Sequence, residues 1–335
     1  MGNLNIAVLG SAEYAARLGK KGTTSDITLY NFKRGEDTLT LIEPARYPER
    51  LSSLFYAVSL ADRAVVVVDG LSPEFGEIVL MLDATGVQKG FIILRGYLSP
   101  DQVKRLVKGT VVEKYLFHED NPVSLRELLL ADAKASSPPL PGDTREMCCV
   151  PVDHFFPVRG IGVVVLGCVV RGTVLRHDTL SALPRGLSVL VRSIQRHDDD
   201  TDWAGRGDRV GLALKNIELE DLDRGDVLTN DVSLSVTSSL TGEVHLFPYV
   251  KHPIKMGTMV HVGHWMQFLP ARVLAVDTGR SPHHLLITLA TEKPLVHPAG
   301  GTAVVCFLDG GIPRVMGTVS LPGHRIIEKA PLIDR

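Results

Sequence analysis

The chain has 335 residues, of which 44% are hydrophobic and 22% charged, and its formal net charge is −2. That length exceeds one small domain and suits two or three, and the low aromatic share with abundant Gly and Val disfavours a helical bundle. The near-neutral charge excludes a global basic field for nucleic acid, so any RNA contact has to rest on a local patch.

Asn5 to Leu9 reads as a short buried strand ending at Gly10, followed by a polar, Ala-rich stretch expected to be helical. Further strands are expected at Asp26 to Phe32, Thr38 to Ile42, Ala64 to Val68, Gly90 to Leu94 and Val111 to Tyr115. Helical patterns separate several of them, at Glu49 to Leu60, Phe75 to Thr85, Pro100 to Val107 and Ser124 to Ala133. This alternation over residues 1–135 predicts an α/β domain with a mainly parallel sheet covered on both faces. Ligands in such sheets sit beyond the carboxyl ends of the strands, so the loop after Leu9 is where a phosphate site belongs. A phosphate loop requires G-x-x-x-x-G-K-[ST], with the Lys on the phosphate oxygens and the hydroxyl on Mg²⁺. Counting from Gly10, those last three positions hold Ala15, Ala16 and Arg17. Lys20 and Lys21 follow, but too late for that geometry.

Residues 136–146, beginning Ser136-Ser137-Pro138-Pro139-Leu140-Pro141-Gly142, read as a semi-extended linker. From 147 to 230 short apolar runs alternate with turns at Gly160, Gly162, Gly167, Gly172, Gly186, Gly205, Gly207 and Gly225. That pattern predicts a small antiparallel barrel. A second set of strands is expected over 231–327, at Ser239 to Leu246, Met259 to Val262, Phe268 to Asp277, His284 to Glu292, Gly301 to Phe307 and Arg314 to Val319, leaving a tail at 328–335. Cys148, Cys149, Cys168 and Cys306 lack metal spacing and read as reduced, buried thiols. Asp198 to Asp200 with Asp202 lacks the alternating ligands of a calcium loop and reads as a solvated turn. His261 and His264, three apart on a strand, fall on opposite faces, as do His283 and His284, which argues against a metal pair. No apolar run is long enough to span a bilayer and no signal-peptide pattern opens the chain, so the cytoplasm is the expected location and no membrane partner is expected.

The central stretch carries a resemblance. Pro151-Val152-Asp153-His154, Gly160-Ile161-Gly162, Gly167, Gly172, Val191-Arg192-Ser193-Ile194-Gln195, Ala204-Gly205, Gly211-Leu212-Ala213-Leu214 and Arg224-Gly225-Asp226-Val227-Leu228 occur in one fixed order. In that order they resemble the second domain of the translational GTPases of the EF-Tu class, and most nearly the selenocysteine-specific (SelB-type) factors. The resemblance implies a P-loop-NTPase-like G domain with a mainly parallel sheet over 1–135, followed by two antiparallel β-barrels over 147–230 and 231–327. It gives Asp153-His154 a barrel-opening role without catalysis. Lys21-Gly22-Thr23-Thr24-Ser25-Asp26-Ile27 is similar to the switch I segment, with Thr24 at the family's magnesium-binding threonine. The D-x-P-G-H element falls on Glu43-Pro44-Ala45-Arg46-Tyr47, so that Arg46 replaces the Gly facing the γ-phosphate and Tyr47 the His that orients water. The guanine-reading element falls on Arg95 to Leu98, where Leu98 lacks the carboxylate acceptor.

The family's GTP and Mg²⁺ are therefore expected to be lost, leaving Gly10, Ala15, Ala16, Arg17, Thr24, Glu43, Arg46, Tyr47 and Leu98 as remnant positions, with no catalytic residue, no cofactor and no metal. The expected function is that of an elongation-factor-like protein without a GTP switch, contacting tRNA, another RNA, the ribosome or a translation factor. Lys20, Lys21, Arg192, Arg196 and His197 are the candidate RNA or anion contacts. Two alternatives stand beside it: an atypical GTP-binding factor using Lys20, Lys21 and Thr24, and a scaffold that regulates a true elongation factor. Because the chain stops at Arg335, the resemblance also leads one to expect the factors' additional C-terminal domain to be missing or minimal.

Overall fold

A computed structural model describes residues 2–135, 147–197, 199–250, 254–281 and 284–323. The Pro-rich connector, Asp198 of the acidic turn, His283 and the tail at 328–335 lie outside the described residues.

The first part has seven strands, β1 (Asn3–Leu9), β2 (Lys20–Thr24), β3 (Ile27–Arg34), β4 (Asp37–Pro44), β5 (Arg63–Val68), β6 (Gly90–Leu94) and β7 (Leu116–His118). Its helices are α1 (Leu51–Ser59), α2 (Pro73–Thr85), α3 (Pro100–Val107) and α4 (Pro122–Ala135). The sheet order is β2-β3-β4-β1-β5-β6-β7, antiparallel from β2 to β4 and parallel from β4 onward. Alternate residues of the central strands feed opposite faces. Ala7, Leu9, Val66 and Val68 pack with α1 and α2, whereas Ile6, Val8, Val65 and Val67 pack with Leu125 and Leu129 of α4. Local chemistry fixes the helix ends. Ser72 accepts the Phe75 N–H ahead of Pro73, and Gly86 closes α2 at φ 73°.

Two expectations fail here. No α-helix follows β1. Gly10 (φ 86°) and Glu13 (φ 62°) turn the chain back, and a single 3₁₀ turn (Ala15–Arg17) leads into the edge strand β2. Tyr14, Ala15 and Leu18 are buried against the sheet, so local Ala and Leu content that favours a helix is used for packing instead. The strand expected at 111–115 is also displaced. Val111 donates its N–H to Asp83 and the Tyr115 hydroxyl donates to the Val87 carbonyl, which holds Val111–Lys114 as a 3₁₀ turn beside α2. Strand pairing begins only at Leu116.

The middle part closes a six-stranded ring from Thr179–Leu183, Val227–Thr229, Cys149–Val158, Gly162–Cys168, Arg209–Lys215 and Leu187–Arg196. Gly167 is needed where strands cross closely, since a Cβ there would lie 2.5 Å from the Pro151 carbonyl oxygen. The last part is a second closed barrel of Ser235–Leu246, His284–His297, Gln267–Ser281, Met259–His264, Thr302–Cys306 and Val315–Ser320. All four cysteines are buried and none is joined in a disulfide. Among the described residues, no helix is long and apolar enough to cross a membrane.

The parts are docked tightly. Met266, Val304, Cys306 and Val315 of the last barrel share one hydrophobic cluster with Phe55, Ile78 and Leu82 of the first part. The Phe55 ring lies so close to Gly263 that a Cβ there would sit 2.5 Å from it. Glu77 of α2 is 0% exposed and receives the Arg314 backbone N–H at 2.6 Å, Nε at 3.0 Å and Nη2 at 2.6 Å.

Candidate functional site

Two regions collect the residues singled out by sequence. The first lies at the carboxyl ends of the central strands. Gly10 ends β1 with its Cα pressed against β5, where a Cβ would be 2.1 Å from the Val67 carbonyl oxygen. Beyond it the loop is tied across the strand ends by its own side chains. Asp120, in the loop after β7, accepts from the Tyr14 hydroxyl at 3.0 Å, Arg17 Nη1 at 2.9 Å and Arg95 Nε at 2.9 Å. Arg95 also donates to Ser11 Oγ at 3.1 Å. Partial burial pushes the Asp120 carboxyl up, but the Tyr14 hydroxyl and the two guanidinium groups outweigh it and hold its pKa below the usual range. Ala15 is buried, Ala16 is exposed, and Arg17 is committed to Asp120.

Glu43 ends up inside, 7% exposed. Burial raises its pKa, against the opposing effects of the Tyr30 hydroxyl and the N–H groups of Glu13, Tyr14 and Ala15, while its Oε1 is buried without a hydrogen-bond partner. Arg46 is exposed and lies 3.4 Å from Asp26, and Tyr47 donates its hydroxyl to the Glu74 carbonyl at 2.9 Å. Leu98 packs against the α1/α2 core, and Thr24 is exposed on β2 opposite Thr28. Among the described residues no group of three or more His, Cys, Asp or Glu is arranged to hold a metal ion.

The second region is a cleft of about 820 Å³ between the outer edge of the sheet and the middle barrel. Lys20 and Lys21 on β2 line it together with Ala16 and Arg17 of the preceding turn, and His197 reaches it from the barrel. Sequence reasoning missed the rest of the wall: Lys33 of β3, Arg126 of α4, Arg209, Asn31 and Gln195. Arg126 lies 4.7 Å from the centre of the Phe32 ring, so a cation and an aromatic face meet in this wall. Polar Asn31 and Lys33 on either side of Phe32, at the end of β3, were the signal for that part of the wall, whereas Arg126 and Arg209 become neighbours only through tertiary folding. Among the described residues, none that lines the cleft is acidic.

Arg192 and Arg196 do not join this cleft. Arg196 is closed against Asp208 at 3.0 Å and stacks 4.9 Å from the Trp203 ring centre. Arg192 is exposed elsewhere and donates to the Ile161 carbonyl at 3.2 Å. Asp153 and His154 form part of a chain across the interface. Buried Asp153 is gripped by both Arg209 Nη atoms, and its Oδ1 meets His154 Nδ1 at 2.6 Å. His154 Nε2 then meets Ser25 Oγ at 2.6 Å. Burial pushes the Asp153 carboxyl up, but Arg209 and His154 prevail and its pKa is lowered. Ser25 Oγ also accepts from Arg224 Nη2 at 3.0 Å and from the Ile27 N–H at 3.4 Å, while Arg224 Nη1 holds Asp26 at 2.6 Å. An oxygen accepting from two further donors is held as part of the interface, so this Ser-His-Asp chain ties sheet to barrel rather than presenting a nucleophile.

Residues 162–229 match the family Elongation factor Tu domain 2. Over 323 residues the chain is 33% identical to an uncharacterized protein of Methanocaldococcus jannaschii, covering 96% of this chain and 100% of that protein. A selenocysteine-specific elongation factor of the same organism is 26% identical over 308 residues, covering 86% of this chain and 64% of the factor, so the chain spans just under two thirds of that relative. The crystal structure of translation elongation factor SelB from Methanococcus maripaludis, in complex with the GTP analogue GppNHp, is similar with a TM-score of 0.79 at 21% identity, over 98% of this chain and 80% of that one. The middle-domain match, the whole-chain relative and the shared succession of sheet and two barrels lead to one assignment: the chain belongs to the EF-Tu class of translational GTPases, within its SelB-like group.

Proposed function

We propose that this chain acts in translation as a SelB-like body that has given up its guanine-nucleotide switch and contacts RNA backbone through the cleft beside β2. The observation that carries this reading is the cleft's lining: Lys20, Lys21, Arg126 and His197 converge from two parts of the fold, Lys33 beside them is paired with Asp199, and among the described residues no carboxylate lines the space. A groove of that kind is complementary to phosphates, and contacts made by lysines on an exposed strand position a backbone without reading its sequence.

The loss of GTP and Mg²⁺ is supported by fit. A phosphate cradle needs N–H groups at a helix start, and only a 3₁₀ turn follows Gly10. The neighbouring N–H groups of residues 13–15 face the chain's own Glu43. Arg17, Arg95, Tyr14 and Asp120 close over the strand ends where a base would lie. The residues present therefore do not fit the nucleotide. The shared core and the Glu77–Arg314 pair further argue for a fixed first part rather than a moving one.

Retention of tRNA or single-stranded RNA on the immobilised full chain tests this. Charge reversal at Lys20 and Lys21 together is expected to abolish retention at about 0.1 M salt and to lower the salt slope by about 1.4 for single strands. The same variant leaving RNA retention intact would refute the cleft. Saturable binding of fluorescent GTP with Mg²⁺ would refute the loss of the switch. Capture of a purified elongation factor without any RNA binding would favour the scaffold.

A further inference from the structure

The acidic turn of the middle barrel reaches the rim of the basic cleft. Asp199 opens a short strand, Asp199–Thr201, that pairs with the end of Leu187–Arg196, so Asp199 stands opposite Arg196 and Asp200 opposite Gln195. Gln195, which lines the cleft, donates its side-chain N–H to Asp200 Oδ1 at 3.0 Å and holds the turn beside that wall. Asp199 is not among the lining residues, but it takes the ammonium of Lys33, which is. Lys33 belongs to β3 and Asp199 to the barrel, so their ion pair joins the two walls of the cleft. Lys33, and less strongly His197, holds the Asp199 carboxyl below its usual pKa range.

A carboxylate and a phosphate offer an ammonium the same thing, an anionic oxygen that accepts a charge-assisted hydrogen bond. The two therefore compete for Lys33. Exposure decides how firmly the carboxylate holds: the Lys33 side chain is 39% and that of Asp199 65% exposed, and an ion pair so open to water is weak and is screened by salt. Such a pair occupies Lys33 in the free protein, yet an incoming backbone with several phosphates can replace it. We infer that Asp199 is a built-in competitor of the cleft's ligand, standing at Lys33 in the place of one backbone phosphate and released when the ligand enters. The inference rests on the reading that this cleft takes RNA.

Fluorescence anisotropy of a labelled oligouridylate titrated with the full chain at about 0.1 M salt tests it. Asp199→Asn is expected to tighten binding about two- to fivefold, the range to which an exposed ion pair converts. Asp202→Asn makes the same change of charge three residues on, at a side chain that is 84% exposed and pairs with Arg176 instead, and is expected to leave the affinity unchanged. In a Lys33→Met background the gain from Asp199→Asn is expected to vanish, because the cation for which both anions compete is gone. Wild-type affinity in Asp199→Asn, an equal gain from Asp202→Asn, or a gain that persists without Lys33 would overturn the inference. Those outcomes leave the RNA reading standing as long as charge reversal at Lys20 and Lys21 still abolishes binding. Absence of binding by the wild type and by Asp199→Asn alike would sink both.

Discussion

Arg314→Met is the sharpest probe of whether the first part is fixed to the last barrel. The Glu77 carboxylate is 0% exposed and takes three hydrogen bonds from Arg314, whose own side chain is 11% exposed and also donates to the Pro48 carbonyl at 2.9 Å. An exposed pair would be worth about 0–1 kcal/mol. Here removal of one partner strands a charge in a dry interface, and the expected cost is about 3–5 kcal/mol. Replacing both groups together, as Glu77→Leu with Arg314→Met, removes the orphaned charge as well and is expected to cost far less than the sum of the single changes. Urea unfolding of the wild type, Glu77→Leu, Arg314→Met and the double variant gives the coupling directly. Single-variant losses below about 1 kcal/mol, adding without coupling, would mean that the interface is open in solution and that the docked arrangement is wrong.

In the middle barrel, Arg196→Ala is expected to destabilise by about 3 kcal/mol because it leaves the buried Asp208 with the Gly205 N–H but without its guanidinium partner, whereas Arg192→Ala should stay within about 0.5 kcal/mol; thermal melting separates them. Ser25→Ala removes the oxygen shared by His154 and Arg224 and is expected to cost about 1–2 kcal/mol, with faster amide exchange at the start of β3 as its local signature. Burial lowers the His264 pKa from 6.5 to about 4, its Nδ1 bonded to the Thr302 carbonyl. The unfolded chain therefore binds the extra proton between those values, so the histidine's contribution is complete above pH 6.5 and is lost as pH falls toward 4, about 3 kcal/mol in all. Asp226 runs the other way, since burial raises its pKa from 3.8 to about 6 and the stability it confers fades as pH rises through that value. The measurement is accordingly the difference in melting between wild type and His264→Asn across pH 4 to 7, and a flat difference would contradict the burial argument.

What could be read from the chain depended on whether the cause was local. Ala64 to Val68 is recognisable as a central strand because both faces of the sheet are covered, and the middle barrel announces itself through glycines such as Gly167 that only a close strand crossing requires. The stretch after Leu9 misleads for the same reason: Ala12, Ala15, Ala16 and Leu18 favour a helix locally, but the turn at Gly10 and Glu13 and the burial of Tyr14, Ala15 and Leu18 are tertiary facts. Lys20 and Lys21 were visible as charges, while Arg126 and Arg209 complete their cleft from elements about a hundred or more residues away in sequence. Arg196 looked available because its partner Asp208 lies on the far side of a turn. The altered motif positions gain physical meaning only when the two regions are set side by side. The strand ends carry Glu43, Asp69 and Glu74 while the outer edge at β2 carries Lys20 and Lys21, a separation of charge that arises only when β2 folds back beside β3 and so could not be read along the chain.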